Sequence, residues 1–368
     1  MPGKRIKLLI PGPVEVHADV LKAMGSQVEP HYGDTWVEMH GHVIELLKKV
    51  FNTKHDVFLM TGSGTAAIDA CFGSALQTAE KVIIGVNGFF GDRLVSIAKG
   101  YGLEVVTVNE EWGKPLNPKA IQEALTSHPD AKAVALVHCE TSTTVINPVE
   151  EMGDMVHNHG AILILDSVSS LGGIHYDLDG WGVDLCASAT QKCLGAPPGL
   201  APVAVSPRAW EAIDRNPNKA HGWYTDLRVW RQYSIDWGDW HPTPITMATS
   251  IVNALLVSLN QLMQEGIPAR LARFRKLALQ LRQGLRDSGM PPFTPDELMS
   301  PVLTAAYPPD GVASSEIVKY LLDEFGIQIS SGLGHLRTKI FRIGHMSPNL
   351  NESDIQEVID ALMQFGRH

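Results

Sequence analysis

The sequence predicts an α/β protein: a largely parallel sheet with helices on both faces, followed by a smaller α+β unit. Three observations lead there. Short apolar runs alternate with helical patterns between residues 57 and 205, two long helical segments follow, and Pro291, Pro292 and Pro295 separate these from a last stretch that mixes helix and strand. Strand–helix alternation is the pattern of a parallel sheet covered on both sides. At 368 residues the chain exceeds one ordinary core, so two domains are expected. Their bounds are an N-terminal arm 1–16, a large domain 17–250, and a small domain 251–368 that includes a linking helix.

The arm reads as extended, because the prolines of Ile10-Pro11-Gly12-Pro13 remove donors and restrict their predecessors. A short helix is expected within 17–30, around Val20, Leu21 and Met24. A longer one covers 35–51, where Val37, Val43, Ile44, Leu47, Val50 and Phe51 gather on one side. Strands are expected at Val57–Met60, Lys81–Val86, Glu104–Val108, Ala133–His138, Ala161–Asp166, Leu185–Ser188 and Pro202–Val205. Between several of them lie helices: Thr65–Leu76, Phe90–Lys99, Pro118–Leu125 and Glu150–His159. Asn117 as cap with Pro118 in the first turn marks the third of these.

Residues 206–245 change character and hold Trp210, Trp223, Trp230, Trp237 and Trp240. They read either as a large loop packed by its own aromatics or as a subunit contact reaching a neighbouring active site. Two long helices follow, one carrying Leu255, Leu259 and Leu262, the other Phe274, Leu277 and Leu281. The last unit has a helix at Ser315–Phe325, strands at Ile327–Ser330 and Lys339–Ile343, and a helix at Ile355–Phe365. Ser353 and Gln356 have capping-box spacing at its start.

Composition narrows the function. Apolar residues at 44% and charged residues at 19% suit a globular protein with a sizeable core. Thirty basic against 40 acidic residues give a net charge of −10, which argues against a general nucleic-acid binder but not against a local anion pocket. Cys71, Cys139, Cys186 and Cys193 form no CxxC pair, so no disulfide framework or zinc site is expected and a reducing cytoplasm fits. The start of the chain reads as neither a signal peptide nor a membrane span. Gly366-Arg367-His368 matches no peroxisomal or retention signal.

Ligands of such sheets sit beyond the carboxyl ends of the strands, so the residues just after each run carry the chemistry. Thr61-Gly62-Ser63-Gly64-Thr65 follows a strand and opens a helix. Free N–H groups and the helix dipole would make it a phosphate cup; a tight turn without ligand is the alternative. It is neither a Walker loop nor a dinucleotide fingerprint. Ile162-Leu163-Ile164-Leu165-Asp166 ends an apolar strand in an acid. A buried carboxylate there wants a positive partner, such as a protonated pyridine nitrogen, unless it caps a helix or binds Mg²⁺.

Lys192 stands in Ala189-Thr190-Gln191-Lys192-Cys193-Leu194-Gly195-Ala196-Pro197-Pro198-Gly199, among small neutral residues. Desolvation makes such an amine a nucleophile, able to carry an aldehyde cofactor, pyridoxal 5′-phosphate (PLP), as a Schiff base. A snorkelling surface lysine is the alternative. Arg342, in Phe341-Arg342-Ile343-Gly344-His345, lies inside a strand and needs an anion: a substrate carboxylate in two-point contact, or an internal acid. Phe90, between strand and helix, can stack on a flat cofactor or sit in the core. The pairs His40/His42 and His157/His159 point apart on helices, so no metal site is expected.

Taken together these motifs resemble the class V aminotransferases, fold-type I PLP enzymes, over nearly the whole chain and in the same order. The branch most similar is the alanine–glyoxylate, serine–pyruvate type. The resemblance implies a seven-stranded, mostly parallel sheet, a homodimer with shared active sites, and amino transfer between a small amino acid and a small 2-oxo acid. Pro11-Gly12-Pro13 is similar to the family's substrate-facing segment, which puts Gly12 at the substrate. Ser63-Gly64-Thr65 matches the phosphate cup, and Phe90 the ring stacked on the cofactor. His138-Cys139-Glu140-Thr141-Ser142-Thr143 implies that the Thr141 hydroxyl faces the cofactor's phenolic oxygen. Asp166-Ser167-Val168-Ser169-Ser170 implies Asp166 on the pyridine nitrogen and Val168 against the other face. Gln191 would lie near the phosphate and Lys192 would be the Schiff-base lysine. Arg342 matches the substrate-carboxylate arginine. Thr243 resembles a threonine lent to the phosphate by a second subunit, and Trp240 stands where a tyrosine phosphate contact is usual.

Two alternatives share the fold. Pyridoxamine–pyruvate aminotransferases resemble the chain around Lys192 and Arg342, but are expected to carry an arginine where Leu333 stands in Ser331-Gly332-Leu333-Gly334. A lyase or desulfurase would need a mobile cysteine, and Cys193 abuts the lysine.

Overall fold

The structure, a computed structural model, describes residues 6–217 and 222–365. The first five residues of the arm and the tripeptide Gly366-Arg367-His368 lie outside the described residues. All seven expected strands form: β1 (Asp56–Thr61), β2 (Lys81–Val86), β3 (Glu104–Asn109), β4 (Ala133–Val137), β5 (Ile162–Asp166), β6 (Leu185–Ala187) and β7 (Leu200–Val205). They make one sheet in the order β1-β7-β6-β5-β4-β2-β3. Only β7 runs antiparallel to its neighbours. β4 and β5 are buried along their whole length, which is why they read as unbroken apolar runs. The edge strand β3 is only partly covered.

The direction of β7 matters for the site. The connection from β6, residues 188–199, contains no helix to carry the chain across the sheet face as a parallel crossover usually does. It therefore turns back at the edge where β1, β4, β5 and β6 all end. Leu200 pairs with Thr61 across that edge.

Helices follow from local signals where these are strong. Asn117 Oδ1 accepts the N–H of Lys119 at 3.0 Å, with Pro118 in the first turn of Pro118–Ser127. The segment 206–245 is not a loop. Ser206 caps a helix at Pro207–Arg215 and Asp226 caps another at Leu227–Asp236. Trp210 and Trp230 are buried, while Trp223, Trp237 and Trp240 remain exposed.

Thr249–Glu265 and Ile267–Asp287 are the two long helices, divided at Gly266. Beyond them β8 (Leu303–Ala306), β9 (Ser330–Ser331) and β10 (Phe341–Gly344) form an antiparallel sheet with β10 in the centre. β8 is not expected from sequence, because Leu-Thr-Ala-Ala is short and follows a proline-rich stretch. The expected strand Ile327–Ser330 divides in two. Ile327–Gln328 pairs in parallel with Lys7–Leu8 of the extended arm, and Ser330 begins β9. The final helix, Glu352–Phe365, starts before the expected box. Asn351 Oδ1 accepts the Ser353 N–H at 2.8 Å and Asp354 Oδ2 accepts the Asn351 N–H at 3.0 Å. Asparagine with an acid three residues on takes the role given to Ser353 and Gln356.

The buried apolar residues form two main clusters. One runs from Trp36 to Leu262 around the seven-stranded sheet. The other joins Leu9 of the arm to residues from Leu277 to Leu362. A small third cluster, with Val14, Cys193 and Phe274, lies between them. Among the described residues no helix is long and apolar enough to cross a membrane.

Candidate active site

A cavity of about 340 Å³ opens at the edge where the parallel strands end. β1 leads into one wall of it. The helix Gly64–Ala75 begins there with Ser63 as N-cap, and the Ser63 side chain does not bond back to the helix. The N–H groups of Gly64 and Thr65 have no partner among the described residues. A Cβ on Gly64 would lie 2.5 Å from Val168 Cγ2 and 3.3 Å from Ala189 Cβ, so only glycine lets the helix start approach this closely. Gln191 lines the same cavity, and its Oε1 is buried without a partner.

β5 delivers Asp166. Its Oδ1 accepts the Val168 N–H at 2.9 Å, and its other oxygen has no hydrogen-bond partner among the described residues. Burial pushes its pKa up to about 6, against the Val168 N–H and the cations Arg93 and Lys192. Thr141, from the segment after β4, bonds Ser169 Oγ through its own hydroxyl at 2.6 Å.

The turn between β6 and β7 delivers Lys192. Thr190 braces it by donating its hydroxyl to Pro197 O at 2.7 Å. The Lys192 amine donates to Pro11 O of the arm. Burial pushes its pKa down to about 8, with the Cys193 thiol opposing and the Arg342 guanidinium assisting. Gly12 passes over the lysine with φ +103°, and a Cβ there would sit 2.5 Å from Lys192 Cδ.

Arg342 approaches from β10 in the second unit. It is buried, donating Nε to Ser331 O at 3.0 Å and Nη1 to Thr141 O at 2.9 Å. It has no ion pair with an acid of the described residues, so the internal salt bridge considered from sequence does not form. Burial draws its pKa down to about 10, with Glu140 opposing. Phe90 is half-buried on the cavity wall, with its other side packed against the main apolar cluster.

Gly12, Ser63, Gly64, Thr65, Phe90, Thr141, Asp166, Val168, Gln191 and Lys192 thus share one cavity, with Arg342 one residue behind it at Thr141. Trp240 and Thr243 do not reach it. Trp240 is exposed beside Tyr32, and Thr243 is buried with its hydroxyl on Ile245 O at 3.3 Å. Among the described residues no group of three or more His, Cys, Asp or Glu side chains could hold a metal.

Two residues of the site were missed. Arg93 lines the cavity one helical turn after Phe90, and that i, i+3 spacing is the signal that could have found it. Glu140 is fully buried behind Phe90. Its carboxylate accepts the N–H groups of Phe90, Gly91 and Ser142, each at 3.0 Å, and the Ser142 hydroxyl at 2.5 Å. Its polar surroundings in Cys139-Glu140-Thr141-Ser142 were visible, but its burial was not.

These features suit a flat, anionic aldehyde cofactor: free backbone amides at one end, a carboxylate oxygen at the other, a lysine with a lowered pKa between. The comparisons agree. The family model for class-V aminotransferases matches residues 15–347. An uncharacterised aminotransferase of Methanocaldococcus jannaschii is 40% identical over 92% of this chain and 87% of its own. The (S)-ureidoglycine–glyoxylate transaminase of Bacillus subtilis is 30% identical over 96% and 89%. The solved alanine–glyoxylate aminotransferase of Nostoc sp. superposes with a TM-score of 0.94 at 34% identity, covering 99% of this chain and 96% of that one. A match that spans both apolar clusters and the whole cavity leaves one conclusion: the chain belongs to the class-V aminotransferase family and is a PLP-dependent transaminase of fold type I.

Proposed function

We propose that this transaminase moves the amino group of alanine or serine to glyoxylate or pyruvate. The observation that carries the reading is Arg342: a buried guanidinium with no acid partner among the described residues, bonded to Thr141 just behind the wall of a small cavity. Its backbone bonds to Ser331 and Thr141 fix the fork and leave Nη2 for a substrate carboxylate.

When bound, PLP supplies an electron sink for charge that develops on the substrate α-carbon. Gly64 N–H, Thr65 N–H and the Ser63 hydroxyl bind its phosphate at the helix start, with the Gln191 amide beside them. Phe90 and Val168 take the two faces of the ring, and the Thr141 hydroxyl meets its phenolic oxygen. Asp166 holds a negative charge at the ring nitrogen. Lys192 would anchor the cofactor and, once freed, its Nζ would take the α-proton of the donor as base and return it as acid to the cofactor's aldehyde carbon. A pKa near 8 keeps a useful neutral fraction of that amine at neutral pH. Gly12, without a side chain, leaves the amine its path.

A homodimer with shared sites is part of this proposal. The exposed aromatics Tyr32, Trp223, Trp237 and Trp240 support it as an interface. Thr243 would reach a partner's phosphate only after leaving Ile245 O. The two main apolar clusters support a division into two domains, proposed as 17–250 and 251–368 with the arm 1–16, although Val252, Leu255, Leu259 and Leu262 of the linking helix pack with the first and Leu9 of the arm with the second. Four unpaired cysteines support a reducing cytoplasm.

The test is a half-reaction series on the purified holoenzyme. Alanine or serine should bleach the cofactor's visible absorbance, and glyoxylate or pyruvate should restore it. Pyridoxamine with pyruvate serves as the competing pair. No response to either amino acid would overturn the proposal.

A further inference from the structure

We propose that Arg93 is a positioning residue for the cofactor ring, acting through the Phe90 ring that it covers and the Asp166 carboxylate that it faces across the cavity. The inference rests on the reading that Phe90 and Asp166 meet the cofactor.

Arg93 follows Phe90 by one turn on the helix Phe89–Gly100. Its guanidinium carbon lies 4.7 Å from the centre of the Phe90 ring and 5.4 Å from that of Phe89. Both distances are in the range of cation–π attraction. Arg93 also lines the cavity, and neither an acid nor a hydrogen-bond acceptor of the described residues engages it. Arg93 is solvent-exposed, so its charge needs no partner for its own sake. Held over the Phe90 ring at the cavity wall, it still presents its charge to the buried acid.

The other groups around Asp166 sharpen this. Lys192 comes from the turn after β6 and Glu140 from the segment after β4. The thiols Cys71, Cys139 and Cys186 and the phenol Tyr176 also face it, each held neutral by burial. Glu140 is an acid and adds no positive field. Lys192 must be neutral to act as a base. Arg93 cannot lose its proton, so it is the lasting cation on this side of Asp166. It keeps the carboxylate ionised before the cofactor arrives and keeps the Phe90 ring from rotating off the wall.

The experiment measures binding of PLP to the apoprotein by tryptophan fluorescence, from about pH 5 to about pH 8. Arg93→Gln should weaken binding about tenfold at neutral pH and move the acid limb of the binding curve up by about one pH unit. Arg93→Lys should restore the position of the acid limb. Unchanged affinity and an unchanged limb in Arg93→Gln would overturn the proposal. Asp166→Asn separates it from the reading beneath it. If that variant keeps the acid limb, Asp166 is not the group that meets the cofactor, and the failure lies there rather than with Arg93.

Discussion

The Lys192 amine donates to the carbonyl of Pro11, so the residue proposed to carry the chemistry is tied to the N-terminal arm. Gly12 follows at once, with φ +103° and its α-carbon against the lysine side chain. Gly12→Ala should therefore be costly at two levels. The backbone conformation disfavours a Cβ by about 1–2 kcal/mol, and the new methyl would occupy the space of Lys192 Cδ. We expect the melting temperature to fall by a few degrees and the amino-transfer rate by about a hundredfold. A variant with wild-type turnover would show that the arm does not confine the lysine.

Arg342→Lys keeps the charge and loses the fork. Lysine cannot hold Ser331 O and Thr141 O while also presenting a fixed donor to a carboxylate, as Arg342 does with Nη2. The expected outcome is a KM for the amino donor raised by about tenfold to a hundredfold, with PLP affinity unchanged. Steady-state kinetics with alanine, alongside a PLP titration, separates these. An unchanged KM would remove Arg342 from substrate binding.

Most of this site was legible because its residues sit at strand ends. β5 is buried on both faces, so Ile162–Leu165 reads as one apolar run and Asp166 marks its end. The same logic exposes Ser63–Thr65 after β1 and Gln191-Lys192 after β6. Arg93 and Glu140 were hidden for a different reason. Their roles come from which side chain each meets across the fold, and neither residue type announces that. The helices at Pro207–Arg215 and Leu227–Asp236 were obscured by the tryptophans, although the caps Ser206 and Asp226 were readable. Trp240 and Thr243 stand apart from the cavity, Trp240 exposed beside Tyr32 and Thr243 bonded to Ile245 O.

Glu140 ties the Phe90 wall to the segment that presents Thr141. Each of its oxygens accepts two bonds, and burial raises its pKa against those bonds. Glu140→Gln removes one acceptor oxygen and places a donor amide against N–H groups. The expected cost is about 1–3 kcal/mol in unfolding free energy, read by urea denaturation. PLP affinity should fall with it, as Phe90 loses its anchor. Full stability in this variant would mean that the helix start at Phe89 holds without its carboxylate.

Asp166 yields the sharpest pH prediction. Its folded pKa stands near 6, raised by burial from an ordinary value of 3.8. An acid whose pKa rises on folding destabilises the fold once it ionises. The cost is absent below about pH 3.8, grows between about 3.8 and 6, and is complete above about 6. Roughly two pKa units correspond to about 3 kcal/mol. Apoprotein carrying Asp166→Asn should therefore be more stable than the wild type by about 2–3 kcal/mol at neutral pH. Asparagine can still accept the Val168 N–H, so the local turn survives. The advantage should shrink as the pH falls through 6 toward 4, and the same variant should bind PLP poorly. Thermal unfolding of both apoproteins across this range gives the comparison. A gap that stays constant with pH would mean that the carboxylate is not strained by its burial, and that the cofactor gains nothing from finding it ionised.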